Sequence, residues 1–449
     1  MKRSFRFIVL LTGMLWASFS YALDLMQAYE LAKKTDPTIA AATYQYDAAR
    51  EKSPQAISSL LPTISASGGY TRSSTDVNSP ANSYDRDNTQ RNWSLRLSQP
   101  IINVQNWINY SQAKLSVMQA EATLYDAKQN LIIRVAQAYF DVALAYQTLE
   151  FTRQQKAAIA EQLEDAKLRF EVGAATITDA KEAQASYDSI LAEEIRAVAN
   201  LDNKRYALEQ LIGQPVDQIN LVRNNFYFPK PDPDKDTYWI DAAKQSAWQV
   251  VYANLGRQIA DKQIGYARAG HYPTLDLVAS RSGDRADAPV GYTGNAYTHS
   301  SQIGLQLSIP IFQGGYVTSK VREAEALSKK STQDFLAAQR DASIFAKQSY
   351  LSVVSGQSEV AALEQALISD QAALDANKLG YEVGVRVNID VLNAQAKLYS
   401  TKQSLAQAKI SLLLAQLNLK ASVGDLIEPD LSFINTFLDL DLIARHDSE

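Results

Sequence analysis
Two stretches of this chain repeat one another at a fixed spacing, and that repeat narrows what it can fold into. Residues 168–179 read Leu-Arg-Phe-Glu-Val-Gly-Ala-Ala-Thr-Ile-Thr-Asp. Residues 379–390 read Leu-Gly-Tyr-Glu-Val-Gly-Val-Arg-Val-Asn-Ile-Asp, an offset of 211 positions (379 minus 168). Between 168 and 189, nine of 22 positions are identical at that offset, Glu171, Val172, Gly173 and Asp179 among them. The register holds elsewhere: Pro62-Thr63 meets Pro273-Thr274, Tyr139 and Val142 meet Tyr350 and Val353, and Gly213 meets Gly424. It slips, to 210, around Leu97–Ile101 and Leu307–Ile311. A duplication of this length implies a tandem pair built from one supersecondary unit.

Each unit changes its period along the chain. Asp24 to about Leu60 reads as helix and ends before Pro62. Trp93, Leu95 and Leu97 then alternate with Ser94, Arg96 and Ser98, and Ile303, Leu305, Leu307 and Ile309 alternate with Gln302, Gly304, Gln306 and Ser308. Strict alternation marks a strand with one apolar and one polar face. Weaker strands precede these, over 62–71 and 273–282, joined to them by polar loops over 73–90 and 283–299. The reading is one hairpin per repeat, 62–102 and 273–312. Strands of roughly ten residues are long enough to cross a bilayer when tilted. Aromatics gather at their ends, as in an interfacial girdle: Tyr70, Trp107 and Tyr110 in the first unit, and Tyr272, Tyr292, Phe312 and Tyr316 in the second.

A very long helix follows each hairpin. Residues 103–171 contain no proline or glycine, and 316–382 are interrupted only by Gly356 and Gly380. At 1.5 Å per residue these are rods of ~100 Å. Val135, Tyr139, Val142, Tyr146 and Leu149 recur every three and four residues, a seam for another helix rather than a broad face for a globular core. The Val172-Gly173 and Val383-Gly384 turns end the rods, and shorter helices follow over 178–212 and 389–423. Two shorter helices end to end match one rod, so a cylinder of uniform height is feasible. The organisation is a first repeat over 23–213, a linker over 214–236 with Pro229-Lys-Pro-Asp-Pro233, a second repeat over 237–424 and a tail over 425–449.

Residues 1–22 read as an export signal. Lys2, Arg3 and Arg6 head an apolar run from Phe7 to Trp16, and Ser20-Tyr-Ala22 is a small-x-small cleavage site. The run is too short for a membrane-spanning helix. Cysteine is absent, which excludes disulfides, thiolate metal sites, cysteine nucleophiles and a lipid-modified cysteine. A net charge of −5, spread along the chain, gives no reason to expect nucleic-acid binding. The histidines, His271, His299 and His446, have no metal-site or catalytic spacing, and no phosphate-binding glycine loop is present. No enzymatic activity, metal or cofactor is expected.

Four strands per chain cannot close a barrel, and open edges in lipid leave unpaired backbone groups at several kcal/mol each. Several chains must therefore share one barrel. The duplicated hairpin and rod, with Glu-Val-Gly and, after five intervening residues, Asp following each rod, resembles the TolC family of outer-membrane channel-tunnels. The likeness covers Leu23 to about Leu426. It implies a mostly α protein with a membrane β-barrel portion. It also implies a homotrimer whose twelve-stranded barrel, set in outer-membrane lipid, continues into a twelve-helix periplasmic tunnel.

The resemblance further implies a closed gate at the periplasmic entrance. Its arginine falls on Arg386, its tyrosine on Tyr381 and its constriction aspartate on Asp390, with Thr178 and Asp179 as partners from the first repeat. By that pattern Tyr381 hydrogen-bonds Asp179 and Arg386 reaches the Thr178 region. A second constriction aspartate in well-studied members is here Asn393, which weakens the expectation of strong cation binding. Val172, Gly173, Val383 and Gly384 fall where the family docks its periplasmic membrane-fusion adaptor. The implied function is passive export of drugs, small molecules or polypeptides, driven by an inner-membrane pump of RND, ABC or MFS type. The competing readings are a structural coiled-coil envelope protein and a periplasmic adaptor; neither needs two strand pairs at matched positions.

Overall fold
A computed structural model of the chain describes residues 22–80, 82–223, 228–287 and 295–445. The export signal lies outside the described residues, apart from its last position. Three short helices open the first repeat: α1 (Leu25–Thr35), α2 (Pro37–Arg50) and α3 (Lys52–Ser58). They are punctuated by side-chain caps. Asp24 and Gln27 form a capping box at α1, and Asp36 accepts from the backbone of Thr38 and Ile39 at α2, whose first residue is Pro37. The hairpin β1 (Thr63–Ser79) and β2 (Asn82–Ile102) follows, then the rod α4 (Val104–Glu171) and α5 (Ile177–Ile212). After β3 (Gln218–Val222) the second repeat runs α6 (Asp236–Ser246), α7 (Trp248–Arg268), β4 (Thr274–Asp287), β5 (Ala296–Ser308), α8 (Tyr316–Glu382) and α9 (Asn388–Ser422). The chain closes with α10 (Glu428–Asn435) and β6 (Leu438–Arg445). No described helix is long and apolar enough to cross a membrane.

The hairpins join into one antiparallel sheet in the order β1-β2-β4-β5. Directly paired residues share a face. Ile64, Leu97, Ala279 and Ile303 therefore form one row, and Ala66, Leu95, Arg281 and Ser301 the next. The opposite face carries rows such as Ser67, Ser94, Ser282 and Ser300. One face is thus built for lipid and the other for water. The strands run well past the apolar rows: β1 has 17 residues and β2 has 21. The segments over 73–90 and 283–299, expected as polar loops, are strand as far as Ser79, from Asn82, as far as Asp287 and from Ala296. Ladder hydrogen bonds continue beyond the membrane without apolar side chains to signal them. Tyr292 lies outside the described residues.

The rods run from the sheet past a packed waist to a narrow tip. At the waist α4 is buried on most sides, with Leu131, Ile132, Val135, Ala136, Tyr139, Phe140, Val142 and Ala143 in one core shared with α1, α5, α9 and α10. The expected two-helix seam is here a core helix, because the segments expected as linker and tail fold against it. Gln218–Val222 and Leu438–Arg445 pair as a two-stranded sheet. The Tyr139 hydroxyl lies 2.9 Å from the carbonyls of Leu23 and Asn220, tying α4 to both flanking segments. Toward the tip only two small cores remain. One holds Ile159, Leu163, Ala166, Ala183, Ile190 and Leu392; the other holds Leu374, Val391 and Leu398.

Candidate functional site
Both rods end by the same backbone device. Gly173 and Gly384 adopt φ of +74° and +80°, the left-handed region in which a side chain is strained. Around them, Ala174 N donates to Arg169 O at 2.7 Å, and Val385 N donates to Gly380 O at 2.9 Å. A Cβ at either glycine would meet no atom within 4 Å, so backbone shape alone demands glycine there. The neighbouring Val172, Val383 and Val385 are well exposed, at 74%, 65% and 76%.

One residue then separates the two repeats. Thr176 is the N-cap of α5 and closes a capping box with Asp179. Its hydroxyl accepts from Asp179 N at 3.3 Å, while Asp179 Oδ2 accepts from Thr176 N at 2.9 Å and from Thr176 Oγ1 at 2.8 Å. The repeat-equivalent of Thr176 is Val387, which has no oxygen to offer, and α9 starts without a side-chain cap. Asp390, the equivalent of Asp179, is left free of a capping role. Its Oδ2 lies 3.6 Å from Nη1 of Arg386, four residues earlier in the bend before α9 and largely exposed. Asn393 is exposed one turn further on.

Tyr381 lies under the last turn of α4, with the Arg169 guanidinium 4.7 Å from its ring centroid. Arg169 in turn bonds Asp165 at 2.8 Å. Burial, together with the negative charges of Asp165 and Asp179, pushes the Tyr381 hydroxyl above its usual pKa, with Arg169 opposing. The hydroxyl approaches Asp165 but falls short of hydrogen-bond geometry, so it is a buried donor with no acceptor in hydrogen-bond geometry among the described residues. The two gate links implied by the resemblance are therefore not hydrogen bonds of the single chain. Asp179 is engaged by Thr176, Arg386 pairs with Asp390, and Thr178 is exposed. Tyr381 and Asp179 do share one electrostatic neighbourhood.

Sequence reasoning missed Asn388, the residue that ties the repeats together at the tip. It is fully buried, accepts from Gln162 Nε2 at 2.7 Å, and donates through Nδ2 to the Asp179 carbonyl at 3.2 Å. A signal was present: 388, 391, 392 and 395 are spaced as one helix face, so Asn388 sits in line with Val391 and Leu392.

A sheet with one face for lipid and one for water, carried on helical hairpins of this length, is the architecture of outer-membrane channel-tunnels. The chain belongs to the outer membrane efflux protein family, whose model matches residues 28–214 and 239–425, one segment per repeat. It is 34% identical over 440 residues to Outer membrane protein TolC of Escherichia coli (strain K12), covering 94% of this chain and 86% of that protein. It is 29% identical over 421 residues to Alkaline protease secretion protein AprF of Pseudomonas aeruginosa, covering 92% and 87%. Among solved structures, the outer membrane protein VceC of Vibrio cholerae shares the fold at a TM-score of 0.75 with 19% identity, covering 89% of this chain and 96% of that one.

Proposed function
We propose that this protein is the outer-membrane exit duct of a tripartite efflux or type I secretion system, conducting solutes or polypeptides passively from the periplasm to the exterior. The observation that carries the reading is the sheet: four strands, lipid-facing and water-facing on opposite sides, with β1 and β5 unpaired at its edges. Unpaired edges in hydrocarbon are too costly to persist, so three copies closing edge to edge complete a twelve-stranded barrel. The rods, three copies together, continue it as a tunnel into the periplasm. The similarity to a protein named for alkaline protease secretion supports polypeptide export as one use.

The tip is the gate in this reading. Three copies of Asp390 and Asn393 face one another at the narrowest point, where like charges in proximity attract cations. Arg386, Tyr381, Thr178 and Asp179 hold the closed state, and the unpartnered Tyr381 hydroxyl finds its acceptor when the helices of the assembly close. The exposed turns at Val172-Gly173 and Val383-Gly384 receive a periplasmic adaptor, which couples the duct to an inner-membrane pump of RND, ABC or MFS type. The protein itself supplies no energy.

Mass measurement of the detergent-extracted protein, followed by single-channel recording, tests this. A trimer that conducts in a planar bilayer is expected; a stable folded monomer would refute it.

A further inference from the structure
Across the outer end of the lipid-facing sheet, one row reads Tyr70, Arg91, Arg285, Tyr297. Each residue is the direct cross-strand partner of the next, so two guanidinium groups stand side by side between two tyrosines. Like charges directly opposite on a sheet are destabilising. The arrangement is only partly relieved within the chain. Arg91 lies 5.7 Å from the Tyr70 ring centroid and forms no ion pair with a described residue; Arg285 lies 5.0 Å from that of Tyr297 and 3.3 Å from Asp287.

The height of the row is informative. The sheet meets its helices at the Leu275–Leu307 end, so the arginine row is on the far, external side. Ten residues separate Leu275 from Arg285 along β4. At ~3.3 Å per residue and a tilt of about 40°, the row stands about 25 Å above the first apolar row, the full height of a barrel's apolar band. Arg281, two rows deeper on the same face, has the length to snorkel toward that level. Arginine matches phosphate geometry bidentately, and tyrosines at this level anchor headgroups.

We infer that the Arg91–Arg285 pair is a binding site for a phosphate-bearing lipid headgroup of the outer leaflet, one per chain, which the external rim of the barrel uses to fix its depth. The inference rests on the outer-membrane placement of the sheet. Tyr70 and Tyr297 lie on the edge strands, so in a closed trimer the row becomes a ring, with each arginine pair bracketed by aromatics.

The test is lipid retention by the purified, assembled protein, read by native mass spectrometry after exchange with defined lipids in nonionic detergent. Diphosphoryl lipid A should be retained over phosphatidylcholine. Arg91→Gln with Arg285→Gln should lower that retention about tenfold or more, since two charge-assisted bonds are lost. Arg72→Gln is the control, because Arg72 is already paired with Asp87 at 3.1 Å, and it should retain lipid normally. Assembly mass and conductance measured on the same samples separate loss of the site from loss of the barrel. If the double variant does not assemble, Arg91→Gln alone should lower retention about threefold. Wild-type retention in an assembled arginine variant, equal retention of phosphatidylcholine, or displacement of the lipid by inorganic phosphate at equal concentration would each overturn the proposal.

Discussion

The two tip turns descend from one sequence and share one backbone, yet their aspartates do different work. Asp179 and Asp390 occupy the same position after equivalent Val-Gly turns, at the starts of the equivalent helices α5 and α9. Asp179 is consumed by Thr176 in a capping box, whereas Asp390 has Val387 in that place and keeps its carboxylate for Arg386. A single threonine-to-valine difference converts a structural acid into an available one. Duplication supplies two copies of a scaffold, and the copy without a threonine cap leaves its aspartate out of a capping box.

The largest effect expected from breaking this asymmetry comes at the residue that joins the turns. Asn388→Leu removes two hydrogen bonds and leaves half-buried Gln162 without this partner, a cost of ~2–3 kcal/mol. The tip cores are small, so the loss should appear locally. Hydrogen exchange should speed up in the first turns of α5 and α9 and stay unchanged around Tyr139 in the waist core. Unchanged protection at the tip would mean that Asn388 does not hold the repeats together.

A smaller effect should follow from restoring the cap. Val387 and Thr176 have nearly the same extended backbone, with φ of −102° and −89°, so Val387→Thr fits without strain. The new hydroxyl should draw Asp390 into a capping box worth about 1 kcal/mol, raising protection of α9 and weakening multivalent-cation block about fivefold. Block at full strength in this variant would show that the cap does not compete for the carboxylate. The smallest effect is the reciprocal one. Thr176→Val should cost about 1 kcal/mol at the start of α5 and leave the channel's cation block intact. Thermal melting of the whole protein should barely register it; exchange at residues 177–180 should.

Much of this was legible in the sequence, for identifiable reasons. The repeat fixed the pairing of elements, and proline-free runs with glycine stops placed α4, α5, α8 and α9 within a residue of their observed ends. Alternation revealed the membrane-facing parts of the hairpins, where burial in lipid selects apolar side chains. It failed beyond them, over 73–79 and 82–90, where the strands pair through their backbones and the sequence shows no apolar alternation. The linker and tail were opaque for another reason. Gln218–Val222 acquires its strand partner more than 200 positions away, which no local pattern encodes. At the tip, resemblance singled out Tyr381, Arg386 and Asp390 but gave no sign of their contacts within the chain. Arg386 lies in the bend before α9, not on the helix, so helical spacing alone does not announce its pairing with Asp390.

The most direct test compares two alanine substitutions in the assembled channel, Asp390→Ala and Asp179→Ala, by single-channel recording with a multivalent cation on the periplasmic side. Asp390→Ala should abolish most of the block and lower cation selectivity. Asp179→Ala should leave the block close to wild type while loosening α5 and easing opening of the closed state. Loss of block in Asp179→Ala with block retained in Asp390→Ala would contradict the division of labour between the two repeats.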